Sequence, residues 1–191
     1  MNRTDQTSAL ASGPWTLAVM IAAAALTRLL PHPPNFSPVE AMALFGGAYF
    51  ASRRAALWIP LVAMLLSDVA LGLLNGGSYA DYVGHLSFWL VYACIALTTF
   101  AGFSLRGRVS GARVLGWSLA GSVFFFLVTN FGTWASGAMY PKNGAGLMAC
   151  YAAGIPFFKW TVLGTLLYSA VLFGGFELLR RRVPALRAQT V

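Results

Sequence analysis

Long apolar runs alternate with short polar breaks along almost the whole chain, and most runs have the length of a membrane crossing. A spanning helix needs about 20 mainly apolar residues. The first run covers 15–30 and stops at Pro31-His32-Pro33-Pro34, because proline blocks helix continuation. Ser37-Pro38 then offers an N-cap and a first-turn proline, and a second apolar run follows over 37–51. That run is short, so its helix is expected to be slanted or buried among neighbours. A third covers 55–74 and ends at Asn75-Gly76-Gly77; a fourth covers 83–105 and a fifth 114–135. The Gly-rich stretch 136–155 reads as a long outer loop, and the last helix is predicted over 156–179, ending in Arg180-Arg181-Arg182. The pattern predicts an all-α membrane protein. It forms one integral membrane domain over 1–191, a bundle of about six transmembrane helices.

The charges give this bundle a direction. Only 9% of the residues are charged, against about 25% in an ordinary globular domain. Of the 13 Lys and Arg, ten fall at one set of breaks: Arg3, Arg53, Arg54, Arg106, Arg108, Arg113, Arg180, Arg181, Arg182 and Arg187. The opposite set has only Arg28, Lys142 and Lys159. Basic residues beside helix ends stay on the cytoplasmic side during insertion, so both termini are expected in the cytoplasm. Scattered in this way, the net charge of +8 marks topology and anionic membrane lipid, and it excludes a nucleic-acid surface, which needs its basic residues massed together. Arg3 and the apolar Leu17–Leu26 loosely imitate a secretory signal, but Arg28 and the Pro-rich turn follow where a mature domain should begin. Cys94 and Cys150 have neither metal-type spacing nor a disulfide framework and read as small packing residues.

Small residues are dense in the runs. Gly46-Gly47, Gly121, Gly164 and Gly174-Gly175 suit close helix approach in lipid, and Ala18 and Ala22 have the spacing of a docking face.

The remaining polar residues collect at the side away from the arginine-rich breaks. Asp68 lies about two turns inside the end of the third helix. A carboxylate at membrane depth costs about 2.5–3.5 kcal/mol on insertion scales, so it must face the bundle or an aqueous cavity. Glu40 stands in the first turn of the second helix, and Arg28 is its expected ion-pair partner across the Pro-rich connection. His32 and Asn35 stand at the same mouth. Asn130 and Trp134, four apart, share a face on which an amide and an indole can hold a flat polar molecule. Tyr140 and Lys159 come to this side, and the outer loop could close over them as a lid. These nine residues are the candidate substrate-binding set.

Arg28-Leu-Leu-Pro-His-Pro-Pro-Asn-Phe-Ser-Pro-Val-Glu-Ala-Met-Ala-Leu-Phe-Gly-Gly47, Leu66-Ser-Asp-Val-Ala-Leu-Gly72, Thr129-Asn-Phe-Gly-Thr-Trp134, Tyr140-Pro141 and Cys150-Tyr-Ala-Ala-Gly-Ile-Pro-Phe-Phe158 are distinctive. Over nearly the whole chain they resemble an uncharacterised bacterial family of six-helix membrane proteins labelled as transport proteins. That family is similar in turn to the substrate-binding S components of energy-coupling-factor (ECF) vitamin transporters. The second resemblance rests on helix count, length, the Gly-Gly second helix and Ser67-Asp68. It implies a multi-pass protein of the bacterial inner membrane that captures a small, vitamin-like nutrient outside and hands it to ECF scaffold and ATPase subunits. Ala18 and Ala22 match the small-residue stripe that docks the scaffold. Nickel and cobalt members begin with a Met-His metal-binding end, whereas this chain begins Met1-Asn2-Arg3, which counts against a metal cargo. Use of Cys94 or Cys150 on a corrin metal is a further implication of that likeness.

The leading expectation is therefore a membrane substrate-binding transport protein without a cofactor. The alternatives are an intramembrane enzyme or cofactor-handling protein, and a membrane assembly subunit that binds no ligand. An enzyme is disfavoured by the lack of Gly-x-Ser-x-Gly, His-Glu-x-x-His and Walker patterns.

Overall fold

The computed structural model describes residues 3–75 and 83–187, all helices and connections among these residues. Helix α1 is Arg3–Leu26, extended by a 3-10 turn at Thr27–Leu29; α2 is Val39–Tyr49; α3 is Arg53–Asn75. Helix α4 is Leu86–Gly102, extended by a 3-10 turn at Phe103–Leu105; α5 is Gly111–Ser136. Helix α6 runs unbroken over Gly144–Arg182, with a π turn at Ala170–Gly174, and a short α7 is Pro184–Arg187. Four helices, α3, α4 with its turn, α5 and α6, are long and apolar enough to cross a membrane. Their outer faces carry large exposed apolar side chains such as Trp58, Leu73, Trp89, Phe100 and Leu163. So much outward apolar surface needs lipid around it.

The centre of the bundle is α2. Every residue from Val39 to Tyr49 is buried, against α1, α3, α4, α5 and α6. At 11 residues it is about 16 Å long, roughly half of a 30 Å hydrocarbon core. The expected second crossing is thus a buried half-helix. Gly46 and Gly47 allow the fit. A Cβ on Gly46 would lie 3.0 Å from the Pro60 ring of α3, and one on Gly47 would overlap the Thr99 carbonyl of α4 and lie 2.9 Å from Gly102 Cα.

Arg106 closes the lower end of α2. Its Nε donates to Gly47 O at 3.0 Å and its Nη2 to Phe50 O at 2.8 Å, satisfying carbonyls that the end of a helix leaves orphaned. Beside it, Phe45, Tyr49, Phe173 and Phe176 pack at ring separations of 4.7–5.6 Å. This is the arginine-rich end of the bundle.

The upper half of the centre has no helix. The chain enters it as the irregular segment Leu30–Pro38, which descends against α6. Phe36 packs its ring on Trp160 and Tyr168, and a Cβ on Gly164 would lie 2.8 Å from Ser37 N. Gly164 is about halfway along α6, so α2 begins near mid-depth.

Three boundaries differ from the sequence expectation. Ser37 makes no cap bond; Pro38 is the N-cap residue and α2 starts at Val39. Helix α1 starts at Arg3, well before residue 15. The stretch 136–155 is mostly helix: only residues 137–143 connect α5 to α6, and α6 begins at Gly144 behind the cap formed by Asn143 Oδ1 on Gly146 N, 2.9 Å. Its glycines read as loop residues but serve packing. A Cβ on Gly146 would overlap the Pro141 carbonyl, and one on Gly154 would lie 2.5 Å from Asn130 Oδ1. Pro156 sits inside the helix, as membrane helices tolerate when neighbours re-satisfy the backbone.

Candidate functional site

Where α2 stops short, a cavity of about 320 Å³ opens toward the end of the bundle opposite the arginines. Arg28, His32, Asn35, Asp68, Tyr92 and Phe125 are among its walls. Four of the nine residues proposed from sequence thus meet in one place, brought from α1, the re-entrant segment and α3.

The local folding of each is traceable. Arg28 rides on the 3-10 turn that continues α1, which aims it across at α3. The turn Pro33–Phe36, closed by Phe36 N–H to Pro33 O at 3.1 Å, has Pro34 second and Asn35 third, with Asn35 at φ 66°. Proline presets the second position of such a turn, and asparagine tolerates the left-handed third. His32 closes the same corner, its ring nitrogens 3.3 Å from Arg28 O and 3.0 Å from Pro33 O.

Arg28 Nη1 lies 2.7 Å from Asp68 Oδ1, with the Asp68 side chain only 3% exposed. Arg28 also donates to Ser67 Oγ, which itself donates to Met64 O at 2.8 Å. Tyr92 Oη of α4 donates to Asp68 Oδ2 at 2.7 Å. Arg28 and Asp68 form an ion pair, and Asp68 Oδ1 is itself buried. Phe88, Tyr92 and Phe125 add ring faces. The arrangement offers a cation, an anion, a hydroxyl and aromatic surface within a small space. That set can orient a flat polar molecule from several sides.

The expected Arg28–Glu40 pair does not form. Glu40 lies deeper, in the first turn of α2, and its Oε2 accepts from Thr165 Oγ1 of α6 at 3.3 Å. Burial at mid-depth separates it from Arg28, which Asp68 and Ser67 engage instead.

The other sequence candidates are not among the walls of this cavity. Asn130 Nδ2 donates to Phe126 O at 2.8 Å, and Asn130 faces Gly154 in the α5–α6 contact. Trp134 Nε1 donates to Pro141 O at 2.9 Å, and Lys142 donates to Trp134 O and Gly137 O. These bonds fold the 137–143 connection onto the end of α5. Tyr140 lies half-buried in that connection, and Lys159 is exposed on α6 with its Nζ 5.2 Å from the Trp160 ring centre. Cys94 and Cys150 are both buried and unbridged, Cys150 with its thiol toward Asn130 O at 3.4 Å. Ala18 is partly packed into the core, whereas Ala22 is exposed. Asp81, which the sequence sets between the third and fourth helices, lies outside the described residues.

Tyr92 was missed. Its signal was available: a tyrosine inside a 17-residue apolar helix needs a partner for its hydroxyl, and Asp68 was a carboxylate in search of a donor. Among the described residues no group of three or more His, Cys, Asp or Glu could hold a metal ion.

A family profile described as a family of unknown function, DUF6580, matches residues 8–186, nearly the whole chain. The chain belongs to DUF6580. Neither the curated proteins nor the solved structures contain a match to it. Within this DUF6580 chain the matched span takes in every residue of the cavity, so the site is built from family positions and not from an appended segment.

Proposed function

We propose that the protein is a membrane substrate-binding transport protein that captures a small polar solute in the Arg28–Asp68 cavity. One observation carries the reading: a buried ion pair, engaged by Tyr92 and Ser67, stands in an open cavity instead of a packed core. Ionisable groups at membrane depth that face a cavity mark solute and ion pathways. The volume suits a solute of about one ring, held flat between Phe88, Tyr92 and Phe125. An acceptor group on the solute would meet Arg28 and a donor would meet the Asp68 carboxylate.

The excess of arginines around α2's lower end supports a cytoplasmic position for that end, hence both termini inside and the cavity opening outward. The S-component likeness extends the proposal to a bacterial inner membrane and to ECF-type scaffold and ATPase partners, with exposed Ala22 on the docking side of α1. Asn130, Trp134, Tyr140 and Lys159 would then line the outer approach, and Glu40 would act from below.

The test is native mass spectrometry of the mildly purified protein, followed by organic extraction of anything bound. A stoichiometric small molecule present in the natural protein and lost in Asp68→Asn supports capture. A clean mass in the natural protein, from cells grown in rich and in minimal medium alike, overturns it.

A further inference from the structure

Glu40 is a buried carboxylate without a cation. It is 3% exposed, and its Oε1 has no hydrogen-bond donor among the described residues. A charge removed from water without a partner is strongly disfavoured, and the N-terminus of a half-helix offsets only a small part of that. Among the described residues no salt bridge reaches it. From α4 the Cys94 thiol interacts with it; the buried carboxylate of α3, Asp68, is engaged by Arg28. The buried side chains of α1 are Leu17, Ile21, Ala24 and Ala25, and α6 presents Thr165.

Thr165 belongs instead to one of two rows of buried hydroxyls. Thr161, Thr165 and Ser169 repeat every four residues on α6, and Ser118 and Ser122 on α5; all five are buried. The two rows run antiparallel and meet at the Ser118–Ser169 hydrogen bond, 2.9 Å, and at the Phe126–Phe158 ring contact, 4.9 Å. That register sets Ser122 level with Thr165, the donor to Glu40. Ser122 Oγ is also without a hydrogen-bond partner among the described residues.

Two openings bracket the carboxylate. The row of hydroxyls leads to a second cavity of about 600 Å³, walled by Ser118, Ser169, Glu177 and Arg181 at the arginine-rich end. Ser37 and Val39, on the chain just before Glu40, are walls of the Arg28–Asp68 cavity.

We propose that Glu40 is an internal proton-binding site, loaded and unloaded in place between the two cavities. A proton from cavity water adds to the carboxylate and gives a neutral acid; its departure restores the anion, and no other bond changes. In the neutral form Thr165 donates to one oxygen, while the acid O–H has the Ser122 hydroxyl at its level as an acceptor. The site is independent of whether the upper cavity holds a solute.

The test is infrared difference spectroscopy of the full chain in phosphatidylethanolamine–phosphatidylglycerol vesicles through a pH titration. The expected result is a carboxylic-acid C=O band that disappears reversibly as the pH rises, is absent in Glu40→Gln and survives in Asp68→Asn. Thr165→Val should move that band to higher frequency, which keeps the test decisive if Glu40→Gln does not fold. A band that never titrates marks a permanently neutral structural acid and overturns the proposal. So does no band at all, one unmoved in Thr165→Val, one that persists in Glu40→Gln, or one removed by sodium chloride at constant pH. None of these readings depends on the bound molecule sought by mass spectrometry, so the two proposals fail separately.

Discussion

The two ends of the bundle both use half-buried arginine, and they use it differently. At the lower end Arg106 donates to two backbone carbonyls, and its guanidinium lies 4.2 Å from the Phe103 ring centre. Arg180 pairs with Glu177 at 3.0 Å, and Tyr49 Oη donates to the same carboxylate at 2.6 Å. These groups close a packed aromatic core. At the upper end Arg28 meets Asp68 at the wall of a cavity. The lower groups hold carbonyls, rings and one another beside the cavity between α5 and α6; the upper pair stands as a wall of the cavity above α2. The difference follows from the length of α2, which fills one half of the centre and leaves the other to a loop and a cavity.

Four substitutions would break or sharpen that contrast. The largest effect is expected at the lower end. Gly47→Leu drives a side chain into the Thr99 carbonyl and the Gly102 backbone, so no monodisperse protein should emerge from size-exclusion chromatography in detergent.

Next comes Asp68→Ala, which leaves the half-buried Arg28 with Ser67 but without its carboxylate and should destabilise by about 3 kcal/mol in reversible unfolding. The double variant Arg28→Met/Asp68→Leu should recover most of that loss, because a buried ion pair is often no better than apolar packing. A pair retained for capture should regain stability there while losing any bound molecule. A double variant as unstable as the single one would instead make the pair a structural strut.

Arg106→Ala should lower stability by about 1.5–3 kcal/mol through its two charged hydrogen bonds, with bound solute unchanged in the fraction that folds. Loss of the bound molecule in that folded fraction would erase the distinction between the ends. The smallest effect belongs to Tyr92→Phe, about 1 kcal/mol in thermal unfolding. Solute retention should fall more than stability does, since the hydroxyl donates to Asp68 Oδ2 and both residues wall the cavity.

Much of the upper site was legible in the sequence because membrane insertion makes charge conspicuous. Arg28 and Asp68 interrupt apolar helices and have to face inward, and Pro33-Pro34-Asn35 dictates its own turn. Pairing was less legible. Glu40 and Arg28 are close in sequence, yet the descent of Leu30–Pro38 carries Glu40 to mid-depth and leaves Arg28 above. Asn130 and Trp134 do share a face of α5, as their spacing required. That face meets Gly154 and the 137–143 connection, not the Arg28–Asp68 cavity. Gly144–Gly154 read as loop because glycine weakens isolated helices, a penalty that close packing in lipid outweighs.

By itself the sequence determined an all-helical membrane chain, an arginine-rich end, and the turn and charges at the opposite mouth. These are local consequences: hydropathy over a helix length, the cost of charge in hydrocarbon, and backbone restriction by proline. Only the tertiary structure decided that α2 is a buried half-helix, that Asp68 takes Arg28 and Tyr92, and that Glu40 is left with hydroxyls. Those outcomes depend on which helix backbones can approach each other, and that is settled by contacts such as Gly47 on Gly102 and Gly164 on Ser37. Side-chain volume across an interface, which no single segment encodes, set the depth of α2 and with it the position of every polar group around it.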